Sequence, residues 1–293
     1  MFGIALALAA GILLSLADTG KKILTQNLSA ELIILLMFTF GLLVNIGFLT
    51  IQGLPPIAWR FVWLPALLCG LLAAIGELVF LYGLRDTDLS IGMPLFAFLP
   101  VFSCIIGYLL FGEIPRPLGG VGAAAIISGA YLLLVRLPIR HNLFAPLQRL
   151  RSDRACLLMI LAAFIGAVLF VGQRYGVRHS SPVTFFTMML AIDWVIFAGM
   201  TLYRGSGVSR AQTTPHLLSI VVLTGMAWGV GLTCLYASYN YTLALYAGSV
   251  MQVQMLVSIT LGALLFKEGQ YLQRMSAGLL MICGVLLVSW SAR

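Results

Sequence analysis

Charge is scarce in this sequence. Only 9% of its 293 residues are Asp, Glu, Lys or Arg, against about 25% in an average soluble domain. Hydrophobic residues make up 61%, and the mean hydropathy is +1.06. A chain with so little polar surface cannot cover itself in water. That excludes a soluble enzyme, a DNA-binding domain and a disordered protein, and leaves an integral membrane protein. Uncharged stretches of helical length recur throughout, whereas strands of a membrane barrel alternate apolar and polar residues. The spans are therefore helices.

Other shortages narrow the function. There are three histidines, His141, His179 and His216, far apart in the chain; no metal site or catalytic triad can be drawn from them. The five cysteines stand singly in apolar segments, with no disulfide or zinc spacing, and read as small packing residues. No Gly-rich loop leads into Lys-Ser/Thr, so no ATP site is expected. No Arg-rich voltage-sensing helix or ion filter is present. The reading is neither enzyme nor channel, with no cofactor. The net charge of +8 comes from 17 Lys and Arg against 9 acids. The basic residues sit mostly between apolar runs, where the lipid bilayer explains them better than nucleic acid does. Met1 to Ala17 is apolar but has no basic region before it, and Asp18 with Lys21-Lys22 follows. It reads as an uncleaved first span rather than a signal peptide.

Ten segments are long enough to cross: 2–20, 30–51, 61–84, 89–111, 117–136, 155–175, 183–203, 216–239, 242–266 and 271–291. Each approximates the 17–25 residues that a helix needs for about 30 Å of hydrocarbon. Residues 137–154 form the longest connection, rich in Arg with two prolines, and divide the spans five and five. The expected units are a first repeat at 1–136, a linker at 137–154 and a second repeat at 155–293. Residues 107–113 (Gly-Tyr-Leu-Leu-Phe-Gly-Glu) match 262–268 (Gly-Ala-Leu-Leu-Phe-Lys-Glu) at an offset of 155, and Gly129 and Gly284 keep it. Gly20/Gly172 and Lys22/Arg174 match at 152, so a small insertion separates the two registers. An odd number of spans per repeat inverts the second copy, an arrangement common in secondary transporters. Of the 17 basic residues, twelve fall in odd-numbered connections, Lys21 and Lys22 among them. Charge alone would put those loops in the cytoplasm.

From Leu99-Pro100-Val101-Phe102 through Gly107 to Glu113, with Gly129 and the partners Gly262 to Glu268 and Gly284, the chain resembles the EamA-type members of the drug/metabolite transporter superfamily. The resemblance covers nearly the whole chain. It implies an all-α fold of ten transmembrane helices as two inverted five-helix repeats, an exporter of metabolites and a multi-pass place in a bacterial inner membrane. It also implies cytoplasmic termini, opposite to the charge count. Met255 stands where the first repeat has Pro100, so the fourth and ninth spans are expected to bend differently.

A charged side chain in mid-membrane costs about 2.5–3.5 kcal/mol on insertion scales, so intramembrane acids carry information. Asp193 and Glu77 lie inside spans seven and three with no basic residue within one helical turn. Each must meet a partner, a wet cavity or a substrate, or carry a proton. Both are candidates for substrate binding and proton coupling; an interhelical hydrogen bond is the alternative. Asp18 is expected to pair with Lys22 at i,i+4, on a stripe with Ser15 and Thr19. Glu113 and Glu268, at helix ends, are expected to cap neighbouring helices or to pair with Arg116 and Lys267. Ser249 and Gln252 share a face of span nine and are placed on the pathway, with Gln254 about 200° round the helix, bonded to a neighbour. Pro94 frees backbone carbonyls in span four. Trp228, Tyr236 and Tyr82 are aromatic candidates for substrate contact, set against packing and interfacial roles. Small residues (Gly119, Gly122, Ala123 and Gly129; Ala277, Gly278 and Gly284) let spans five and ten pack closely, and a homodimer through them is compatible with the sequence.

The preferred function is secondary transport of a small-molecule substrate, a polar metabolite such as an amino acid or amine, by alternating access. A broad multidrug or cation exporter, or a non-transporting partner subunit, is the alternative.

Overall fold

A computed structural model describes residues 2–53, 55–96, 98–111, 117–134, 153–205, 215–242 and 244–291. Among them the chain forms twelve helices: α1 Phe2–Leu24, α2 Ala30–Gln52, α3 Trp59–Asp86, α4 Leu89–Phe96, α5 Leu99–Phe111, α6 Pro117–Leu134, α7 Arg154–Arg178, α8 Pro182–Arg204, α9 Pro215–Ser238, α10 Ala244–Met251, α11 Val253–Leu265 and α12 Tyr271–Ser291. They make ten spans long and apolar enough to cross a membrane, with α4–α5 and α10–α11 each counted as one. Glu113, Arg116 and most of the 137–154 linker lie outside the described residues.

Local chemistry fixes the helix limits. Asp153 caps α7, its carboxylate accepting from Ala155 N–H at 3.0 Å and Cys156 N–H at 3.3 Å. Ser181 caps α8 by accepting from Thr184 N–H at 3.2 Å, Pro182 starts the helix, and Gly205 ends it in the left-handed conformation. The α3 stripe Leu64, Leu68, Leu71 and Ile75 is exposed, while Val62, Ala66, Cys69 and Gly70 face inward. That is the amphipathic pattern of a membrane helix with lipid on its apolar outer face.

Helix limits locate the insertion that separates the two registers. α2 and α8 are both 23 residues long and lie 152 apart (182 − 30 = 152). α4 and α10 are both eight residues long and lie 155 apart (244 − 89 = 155). The extra residues fall between α9 and α10, where 239–243 replace the two-residue turn Thr87–Asp88. The fourth and ninth spans are therefore interrupted at equivalent points, although Met255 stands where the first repeat has Pro100. Pro100 is not needed for the break; at Gln252 the backbone turns with φ −61° and ψ −7°.

Helix contacts follow the same pairing. α1 packs on α9 as α7 packs on α3, α2 on α9 as α8 on α3, and α2 on α8 and α6 on α12 across the pseudo-two-fold itself. At the α6–α12 crossing the backbones touch. A methyl added at Gly122 would meet the Gly284 carbonyl oxygen at 2.6 Å, one at Gly284 would meet the Gly122 oxygen at 2.6 Å, and one at Gly129 the Ala277 oxygen at 2.8 Å. The small residues seen in the sequence are thus spent inside the chain, as close packing in lipid requires.

Replacing Gly122 or Gly129 by Val is expected to lower stability by at least about 1–3 kcal/mol, the usual cost of overpacking. Gly120, where an added methyl meets nothing within 4 Å, should accept Ala with little change. Thermal unfolding of the purified variants in detergent checks both.

Candidate functional site

α1 carries its polar residues on one stripe, and α11 receives them. Ser15 Oγ lies 2.8 Å from Ser258 Oγ, and Gln254 Nε2 donates to Asp18 Oδ2 at 2.5 Å. Ser258 and Gln254 are four apart, one turn of α11, so the two stripes mesh. One turn further along α1 stands Lys21, and here the structure corrects the sequence reading. The helix runs on to Leu24, so Lys21 and Lys22 are not loop charges. Lys21 is 4% exposed. Its Nζ lies 3.5 Å from Asp18 Oδ1 and 3.5 Å from Glu77 Oε2. The partner of Asp18 is thus Lys21, not Lys22. Lys22 turns to the α3–α4 connection and donates to the Thr87 and Leu84 carbonyls. Glu77 gains its base from another helix, which its own flanking sequence could not reveal.

These groups face a cavity of about 230 Å³ between the two repeats. Of the eight candidate substrate residues, Glu77, Asp193, Trp228 and Tyr236 line it; Tyr82, Pro94, Ser249 and Gln252 do not. Gln254 lines it instead of Gln252, because the break at Gln252 re-aims the residues that follow. Tyr82 is 38% exposed and its hydroxyl donates to Glu31 Oε1 at 3.2 Å, beside the Arg204–Glu31 ion pair. Pro94, Ser249 and Gln252 are buried in or beside the short helices. Asp193 is 4% exposed, and its Oδ1 has no hydrogen-bond partner among the described residues. An unpaired buried carboxylate oxygen is costly unless something else comes to meet it.

The remaining wall is aromatic. Tyr236 stacks on Phe186 with centroids 4.3 Å apart and 10° between planes. Trp228 leans on Phe38 at 5.2 Å. The Lys21 ammonium lies 5.2 Å from the Phe80 ring centre and 5.5 Å from that of Trp228, within cation–π range. Tyr236 donates its hydroxyl proton to Gln173 Oε1 at 3.2 Å. Lys21, Gln173 and Phe186 were absent from the sequence candidates. The 152-residue offset pairs Lys21 with Gln173, so one cavity residue could have led to the other.

The same offset shows how the cavity loses its symmetry. Glu77 corresponds to Gly229 and Asp193 to Gly41. Those two glycines pack together, with a methyl at Gly229 meeting Gly41 Cα at 3.0 Å. The counterpart of Trp228 is Gly76, and both line the cavity. One of two equivalent helix crossings is therefore shut by glycine contact, while the other opens and carries acids.

At one end of the bundle a second polar cluster joins the repeats. The Glu268 carboxylate accepts from Leu89 N–H at 2.8 Å and Ser90 N–H at 3.0 Å, and from the Ser90 hydroxyl. It caps α4, as a helix-end role requires. Its ionic partner is Arg274 at 3.2 Å rather than Lys267, and Arg274 also reaches Asp88 at 2.9 Å and Ser90. Lys267 is exposed and adopts a positive φ of 55°.

No group of three or more His, Cys, Asp and Glu among the described residues is arranged to hold a metal. The family model of the EamA-like transporter family matches residues 1–135 and again 153–290. The chain belongs to the EamA-like transporter family. This membrane transporter carries one copy of the family's domain in each stretch. One solved crystal structure superposes with a TM-score of 0.64 over 99% of this chain and 97% of that one, at 16% identity. At that identity it shows the fold of the EamA-like chain. No curated protein matches the sequence.

Gln173→Leu is expected to cost about 1–3 kcal/mol by leaving the Tyr236 hydroxyl unpaired in the wall. Adding Tyr236→Phe should recover part of that loss. A double-mutant cycle by thermal unfolding gives the coupling.

Proposed function

We propose that the chain is a secondary active transporter that exports a small polar metabolite bearing an amino group, an amine or amino acid, across a bacterial inner membrane. The unpaired Asp193 carboxylate in the wall of an inter-repeat cavity carries this reading. It is supported by the balance of formal charge there: Asp18, Glu77 and Asp193 against Lys21. An excess of carboxylates suits a cationic group, and the stacked rings suit an apolar body beside it. The cavity of about 230 Å³ is small beside the 300–1,000 Å³ of drug-sized sites, which favours a metabolite over bulky drugs. The aromatic wall favours the alternative, a broad cation exporter. A partner subunit without transport is a third reading, distinguished by absence of flux from the protein alone.

Two repeats about a central cavity suit alternating access. The repeats rock about the cavity, and the Glu268–Arg274 cluster between α4 and the α11–α12 connection parts and re-forms. Glu77 and Asp193 are the groups placed to exchange a proton against substrate.

Thermal unfolding of the purified protein with amines, amino acids, sugars, nucleotides and lipophilic cations tests the substrate class. A ligand at 100 times its Kd adds about 2.7 kcal/mol to the native state. An amine or amino acid is expected to stabilise the protein, and sugars and nucleotides are not. Asp193→Asn and Glu77→Gln should abolish flux in proteoliposomes with the fold retained, since Lys21 keeps Asp18 when Glu77 is neutral. Full flux in both variants removes the acids from the mechanism.

A further inference from the structure

Lys21 lies where two acids and two rings converge. Its ammonium lies 3.5 Å from a carboxylate oxygen of Asp18 and 3.5 Å from one of Glu77. Two aromatic rings stand within 5.5 Å of it. Two acids with two ring faces make a box for an ammonium ion. The box is in the cavity wall, and its occupant is a side chain of the protein itself. We infer that Lys21 is a tethered occupant of the cation subsite, and that a substrate ammonium binds by displacing it from Glu77.

Three observations carry the exchange. The same helix packing recurs in the other repeat without these charges. The pseudo-symmetric positions of Lys21, Glu77 and Asp18 hold Gln173, Gly229 and Phe170 in helices packed the same way. Lys21 has somewhere to stay when displaced, because Asp18 lies one turn back on its own helix and is fixed by Gln254. An arriving ammonium also has somewhere to land first, because Asp193 faces the same cavity with an unpaired oxygen. The exchange is then stepwise. The substrate docks on Asp193, takes Glu77 from Lys21, and leaves Lys21 on Asp18. Neither Asp18 nor Glu77 is left bare before or after, which limits the cost of handling charge in a low-dielectric site. When the substrate leaves, Lys21 closes back on Glu77. An empty carrier can then change conformation without an unpaired Glu77.

This inference rests on the ammonium reading above, and one titration separates the two. Wild type and Lys21→Met are titrated calorimetrically with protonated N,N-dimethyl-2-phenylethylamine, neutral 2-phenylethanol and anionic 3-phenylpropanoate. The variant is expected to bind the ammonium about tenfold tighter, with the alcohol unchanged. Wild-type binding of the ammonium with equal or weaker binding by Lys21→Met overturns the tether and leaves the ammonium reading standing. Absence of ammonium binding in both proteins, or a preference for the anion that Lys21→Met abolishes, overturns both. Should the variant not fold, the unaltered protein answers through reductive methylation of Lys21, read by peptide mass spectrometry. Saturating tertiary amine should speed that labelling several-fold, and unchanged or slower labelling overturns the inference.

Discussion

A charge in hydrocarbon must be answered from within the protein, and in this chain the answer to Lys21 organises the rest. Its ammonium needs acids, and they come from its own helix and from α3. Asp18 needs a further donor, and Gln254 supplies it from α11. Gln254 reaches the cavity only because the ninth span breaks at Gln252. Ser258 then falls one turn further on, against Ser15. The position of α1 in the bundle, the register of α11 and the break between the short helices thus form one consistent arrangement. An uncompensated charge at this depth costs several kcal/mol, more than any single packing contact around it.

Two copies of one architecture have been put to different uses. The crossing of α2 with α9 and that of α8 with α3 are equivalent, yet glycines meet in one and acids line the other. A site built equally from both halves would present two like ends to its ligand. Here Lys21 faces a half in which its counterpart is neutral Gln173, so the cavity has a direction that the fold alone does not supply.

The fold was legible because a membrane span is a local property: about twenty apolar residues declare themselves wherever they occur. The repeat was legible for a related reason, since Gly107 to Phe111 and Gly262 to Phe266 recur at one offset and close equivalent helices. The site was only half legible. Asp193 and Glu77 stood out as acids in apolar runs, and both line the cavity. Lys21 did not stand out, because a basic residue near a span end looks like an ordinary interfacial charge. Only the continuation of α1 to Leu24 and the approach of α3 show otherwise. Ser249 and Gln252 were aligned with the pathway by assuming an unbroken helix. No proline marks the break at Gln252.

The α6–α12 crossing lies on the pseudo-two-fold, and there Gly122 faces Gly284 as Gly129 faces Ala277. This is an isologous contact, in which the same patch meets itself. A chain holding a single repeat would present that patch to a second copy of itself and form the same crossing between subunits. The present polypeptide therefore preserves, inside one molecule, the geometry of a dimer joined in opposite orientations. With both copies in one chain each half can differ alone, as Lys21 in one repeat and Gln173 at the same place in the other do.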